Sequence, residues 1–363
     1  MMKFTKVIFL LVAILCHTAV AQTNPPVGVR PCCAFGYDLK AQLAGIPVPF
    51  FSVGNVVDAD QIGQHHYNDG SQSVSGNLLG FGDEQNGLIF TQEGGFIDTA
   101  HVRDTADFTF FLYQQNRERL GQTSQIDLTQ ELRTRQIIWQ AHSNELSASE
   151  QARRSAQAAA LVAFQLAQWH EIAQWFGLVS VGGFDELASA YSPEDLYSNM
   201  LGAKLAKAIL LADPAINRKD FSTQLDSALQ AALTELKAEN KSVTKQKIEA
   251  LDGIWWDSSR RLPDKWLLLK RDYQFSYTLQ PNYPGATHRL SLDEHFDDGS
   301  RINDWVSLQL VASDNETAFA GLPDSLASLP VWQHEQLAQL TKFAYQHDER
   351  AHPQQVSPQV EEE

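Results

Sequence analysis

Residues 147–177 read SASEQARRSAQAAALVAFQLAQWHEIAQWFG, and this stretch decides the fold. Ala, Leu, Gln and Arg dominate it, residues that lose little side-chain freedom in a helix, and Gly177 supplies a stop. The spacing predicts one long helix over residues 147–176. His170 falls on the face of Ala163, Leu166, Ala167 and Ala173, which turns it toward a core. Glu171 follows the flank of Phe164, Ala167 and Trp175, where desolvation would raise its pKa and suit it to general base or acid work.

Upstream, residues 94–108 read GGFIDTAHVRDTADF, a His, an Arg and three Asp among small and apolar residues. Gly94-Gly95 ends a strand and Asp98 can cap a helix from Thr99 to about Asn116, with apolar residues at Val102, Ala106 and Phe110. His101, Asp104 and Phe108 then share a face, and Arg103 can pair with Asp107 one turn later. Polar residues 122–131 read as a connection and residues 132–141 as a short helix. Downstream, Ser192-Pro193-Glu194-Asp195 combines an N-cap, a proline at the first helical position and acidic residues facing the helix dipole. That start predicts a helix running to Leu211, with two more near residues 221–239 and 244–251.

Residues 32–91 alternate short apolar runs with Gly, Asn, Asp and Ser, a pattern of strands and loops, and His65-His66 read as part of a surface loop. Beyond residue 253 the chain turns aromatic and β-favouring, through Trp255-Trp256, residues 265–270 and residues 273–279, with a break at Pro281 to Gly285. Short strands over residues 290–312 and a closing helix over residues 331–347 complete it. The expected fold is α+β, with a helical centre, short strands and an aromatic β-rich C-terminal part. Its domain plan is an extended lead-in over residues 22–31, one domain over 32–350 and a disordered acidic tail over 351–363. The composition shift near residue 253 offers an alternative boundary.

The chain has 363 residues, 43% hydrophobic and 20% charged, enough to build a substantial core. Residues 1–21 have the basic, apolar and small-residue regions of a secretory signal, ending at Ala19-Val20-Ala21. The mature protein is therefore expected to be exported, to periplasm or exterior. A lipid anchor on Cys16 fits less well, because Ala13-Ile14-Leu15 lacks the small residues such a site prefers. No later stretch reaches the ~20 apolar residues of a membrane helix. The net charge of −16, with no Lys/Arg stripe, argues against a nucleic-acid partner. Cys32 and Cys33 could close a vicinal disulfide, pair between chains or stay reduced, and the residues leave these open.

His101, His170 and Glu194 are the candidate metal ligands and Glu171 the candidate catalytic base, with Asp98, Arg103, Asp104 and Asp195 in support. Catalytic zinc takes three protein ligands from His and carboxylates plus a water, so zinc is the first cofactor expected. The zincin pattern His-Glu-x-x-His is absent, since Gln174 stands where its second His would be. There is no Gly-x-Ser-x-Gly elbow, no His beside Cys32-Cys33 and no phosphate-binding glycine loop.

Four motifs, Cys32-Cys33-Ala34-Phe35-Gly36, residues 94–104, Trp169-His170-Glu171 and residues 192–199 (SPEDLYSN), together carry a resemblance. They are similar to the bacterial envelope family catalogued as domain of unknown function 4056. The resemblance implies a single exported domain over most of the mature chain, and implies no activity, substrate or cofactor. Two functions follow as expectations. One is a metal-dependent hydrolase acting on an unidentified envelope substrate. The alternative is a non-catalytic envelope binding or structural protein, whose His/Glu/Asp network only holds the core and whose Trp255-Trp256 anchor a partner.

Overall fold

The computed structural model describes residues 23–28, 30, 34–43, 45–70, 84–143, 145–179, 186–313, 319 and 321–353. Residues 1–22, where a secretory signal is expected, Cys32-Cys33 and the residues beyond 353 lie outside the described residues. The fold is α+β, as its sequence indicates.

Three helices form the centre: α1 (Thr99–Arg119), α2 (Ala148–Trp175) and α3 (Asp195–Ala212), each packed against the other two. Alanine makes this possible. Ala156, Ala159, Ala160 and Ala163 on α2 are all at most 1% exposed, so its neighbours approach over small side chains. Between α1 and α3 the approach is closer still, because a methyl group on Gly202 would overlap the Val102 carbonyl. Large side chains fill the remaining space, with Phe110, Phe164, Trp169 and Met200 at 0% exposure. Each contributes about 1.5–3 kcal/mol by leaving water.

An antiparallel sheet in the order β10-β9-β6-β5 flanks the bundle, formed by β5 (Ser124–Asp127), β6 (Thr134–Trp139), β9 (Val306–Val311) and β10 (Val331–Trp332). The helix expected over residues 132–141 is therefore the strand β6. Its burial alternates residue by residue, with Arg135, Ile137 and Trp139 facing inward, a period of two. The supposed connection before it contains β5. The antiparallel pair β3 (Leu88–Thr91) and β4 (Gly95–Asp98) leads straight into α1. A second pair, β1 (Leu39–Leu43) and β2 (Ile46–Val53), lies upstream.

Helices α4 (Arg218–Glu235) and α5 (Lys241–Glu249) start three residues before the expected bounds, because Asn217 and Asn240 accept hydrogen bonds from Asp220 N–H and Val243 N–H as caps. Over residues 254–289 the expected β-favouring part is mostly turns, with the two-residue strand β7 (Thr278–Leu279), while the two-residue strand β8 (Leu290–Ser291) and β9 fall within the strands expected over residues 290–312. Its aromatics pack inward instead. Trp255 and Trp256 are each 4% exposed, in a cluster with Phe35, Phe90 and Phe96. The short α6 (Asp324–Ala327) precedes β10, and the closing helix α7 (His334–Ala351) packs on α2. Trp175 Nε1–H, Tyr273 O–H and Lys265 Nζ all donate to the carboxylate of Asp348 on α7. No helix among the described residues is long and apolar enough to cross a membrane.

Candidate metal centre

The hairpin β3–β4 delivers Asp98 to the N-terminus of α1, where Oδ1 accepts Ala100 N–H at 2.7 Å. The cap expected at Asp98 is thus present, and it places His101 on the first turn. Opposite stands the start of α3. That helix begins at Asp195 rather than after Ser192, with Glu194 at the cap position making no capping hydrogen bond. Ser198 on α3 stitches the two starts together: its Oγ accepts Asp98 N–H at 2.9 Å and donates to the Glu194 carbonyl at 2.7 Å. One turn further, Thr105 Oγ1 donates to Asn199 Oδ1 at 2.7 Å.

This stitching brings His101 Nε2 to 3.2 Å from Asp195 Oδ1. One donor atom each from Asp98, His101 and Asp195 lies within 4.8 Å of the others, and all three residues are buried. Two more carboxylates adjoin them. Glu171, near the C-terminus of α2, accepts Tyr191 N–H on Oε2 at 2.7 Å, while its buried Oε1 has no hydrogen-bond partner. Glu194 accepts Ser192 Oγ–H on Oε2 at 2.7 Å, and its buried Oε1 likewise has none.

Electrostatics follow from this crowding. Burial, then the charges of Glu171, Glu194 and Asp98, drive the Asp195 carboxyl well above its usual range. Burial also pushes Glu194 up to about 8, with Asp98 and Glu171 adding to it. Glu171 is raised by burial, against the opposing pull of His101 and His170. Among the described residues no Lys or Arg makes a salt bridge to any of these four carboxylates. A cation held among Asp98, His101 and Asp195 would offset that repulsion. One imidazole nitrogen plus carboxylate oxygens is a donor set that divalent metals accept.

The other sequence-predicted residues go elsewhere. His170 turns to the sheet side, with Nδ1 3.2 Å from Glu131 Oε1 and Nε2 3.8 Å from Glu186 Oε2. Arg135 completes that cluster, 2.9 Å from Glu131. Arg103 does not pair with Asp107. Its guanidinium donates to the Gln85 and Ile62 carbonyls and Asn86 Oδ1, with Glu84 at 3.5 Å. Asp104 and Asp107 hold Arg30, which no sequence signal had marked. The histidine pair is likewise not a simple surface loop: His65 is 2% exposed between Glu84 and Asp107. On the outer side of that loop an open groove of about 780 Å³ runs along α4, lined by His66, Arg218, Ser222 and Asp226 among others.

Tyr191 is a residue of the candidate site that the sequence left unmarked. Its φ of 56° is left-handed, a conformation bulky residues rarely adopt, and it aims the N–H at Glu171. The residue is fixed on three sides, by Asp272 N–H on its carbonyl at 2.7 Å, by its O–H to Thr341 Oγ1 at 3.1 Å and by the Tyr273 ring at 4.7 Å.

Fold and site together define an α+β protein with a buried carboxylate–histidine centre at the meeting of three helix ends. The chain belongs to the family described as protein of unknown function DUF4056, whose model matches residues 20–284. That span includes every residue of the centre. No curated protein and no solved structure matches the chain.

Proposed function

We propose that this protein is a metal-dependent hydrolase of the bacterial cell envelope, with its cation held by Asp98, His101 and Asp195. The observation that carries the reading is the pair of buried, partnerless oxygens on Glu171 and Glu194, beside three donor atoms within 4.8 Å of one another. A divalent cation bound there would lower the pKa of a coordinated water to about 7 and polarise an amide or ester carbonyl. Glu171 takes the proton of the attacking water on Oε1, while Tyr191 N–H holds its other oxygen still. The same carboxyl then passes that proton to the leaving amine or alcohol as the carbon–heteroatom bond breaks. Glu194 lies outside the three-atom set, and in this reading its charge would add to the site's attraction for a cation. Peptides, wall amides and lipid esters share the carbonyl that such a centre attacks.

The first 21 residues support export, through their basic, apolar and small-residue order. The partner-anchor alternative loses its basis, because Trp255 and Trp256 are buried. The test is elemental analysis of purified protein, together with melting curves in zinc, manganese and a chelator. One divalent ion per chain and a melting temperature that falls with chelator are expected. No stoichiometric metal and no thermal response to either would sink the reading.

A further inference from the structure

Arg30 lies just beyond the irregular segment 23–28, yet it is 2% exposed. Its guanidinium is saturated. Nε donates to Glu84 Oε2 at 2.7 Å, and Nη1 donates to Asp104 Oδ1 at 2.6 Å and Asp107 Oδ2 at 3.0 Å. Nη2 donates to the His66 carbonyl at 2.8 Å and Glu84 Oε1 at 3.3 Å. All five donors of the planar fork therefore have an acceptor, which an ammonium with three donors could not reproduce. The socket comes from three separate places: the loop at residues 65–66, Glu84 ahead of β3, and one face of α1.

The rest of the segment lies on that socket like a docked peptide. The Asn24 carbonyl accepts Tyr67 O–H at 2.7 Å, Val27 N–H donates to the Asn68 carbonyl at 2.9 Å, and Gly28 rests against the Phe108 ring. Pro26 and Arg30 are buried while Asn24, Pro25 and Val27 stay exposed. Arg103 also stands 3.5 Å from Glu84, and His65 sits among the carboxylates 3.0 Å from Asp107 and 3.2 Å from Glu84.

We propose that Glu84, Asp104 and Asp107 form a guanidinium-selective socket for an arginine-bearing peptide, which the chain fills with its own residues 23–30. The socket is separate from the centre at Asp98, His101 and Asp195, and its existence does not depend on any metal there. The consequence is a binding site whose ligand can be supplied in trans once the native arginine is removed.

Chemical rescue tests this in the full-length chain. R30A, with Glu84, Asp104 and Asp107 facing an empty seat, is expected to melt on the order of 5 °C or more below wild type. Guanidinium chloride far below denaturing concentration should recover at least half of that loss, as should a synthetic peptide copying residues 22–31. Ammonium chloride at equal ionic strength should recover none. R30K, which restores charge without the fork, should remain destabilised and gain little from guanidinium. If R30A does not accumulate folded, refolding from urea with and without guanidinium gives the same comparison. Equal rescue by ammonium, absence of rescue, or a wild-type melting temperature in R30A would each overturn the proposal.

Discussion

His101 on the first turn of α1 and Asp195 at the first residue of α3 stand 3.2 Å apart, although 94 positions separate them in the chain. His170, which the sequence grouped with His101, faces Glu131 and Glu186 instead. The two histidines should therefore respond differently to removal. H101A and D195N are expected to weaken manganese or zinc binding at least about 100-fold by calorimetry, more than the loss of an outer-shell partner costs. H170A should leave that affinity within a few-fold of wild type.

Glu171 offers one anchored and one bare oxygen. E171Q keeps the shape and the hydrogen bond to Tyr191 N–H while removing the base. Metal content and fold should survive, and hydrolytic turnover on any amide or ester that wild type cleaves should fall by about 10²–10⁴-fold. Unchanged turnover with full metal occupancy would remove Glu171 from the chemistry.

The His170 cluster gives a pH signature. Burial alone would lower its pKa, but Glu131 at 3.2 Å, with Glu186 and Glu171 beyond, outweighs it and raises the group to about 9. A raised pKa means that the folded state holds the proton more tightly than the unfolded chain. The stabilisation is then complete below the ordinary histidine pKa near 6.5 and is lost as pH climbs through about 9. H170A should cost on the order of 2–3 kcal/mol at pH 6 and progressively less above pH 8, measured by urea unfolding across that range. A pH-independent deficit would show that packing, rather than the charge pair, is what His170 supplies.

Gly202 lies where α3 touches the backbone of α1 beside His101. G202A must push the helices apart, at a cost of about 1–3 kcal/mol from overpacking. Because the displaced carbonyl belongs to Val102, metal affinity should drop along with stability, by calorimetry on the folded fraction. Lost stability with wild-type affinity would mean that the ligands relax independently of the helix contact.

The helical centre was legible because α2 carries its propensity along its whole length and α1 announces itself through the Asp98 cap. The strand β6 was not, since Arg135, Gln136, Ile137 and Ile138 form no clean polar and apolar alternation even though the burial does alternate. Arg135 is buried by pairing with Glu131, which lies in the same turn of chain. The site was half legible. Asp98, His101, Glu171, Glu194 and Asp195 stood in motifs dense enough to notice. The side chains that face them could not be assigned, because an ionisable residue on a helix start reads the same whether it caps, pairs or ligates. Arg30 gave no signal and His65 read as part of a surface loop, each being a polar residue in a polar stretch until the fold brings Glu84, Asp104 and Asp107 around them. Tyr191 acts through its main chain, and a backbone N–H has no letter in a sequence.

The close seating of Gly202 on Val102 also bears on how the centre exchanges its contents. With α1 and α3 in backbone contact and joined through Ser198 and Thr105, the walls that carry Asp98, His101 and Asp195 are continuous. His101, at 7% exposure, shows more surface than Asp98 or Asp195 at 2% each, so solvent meets the centre along the imidazole edge. In the proposed metal centre that ring would be both a ligand and the residue nearest solvent.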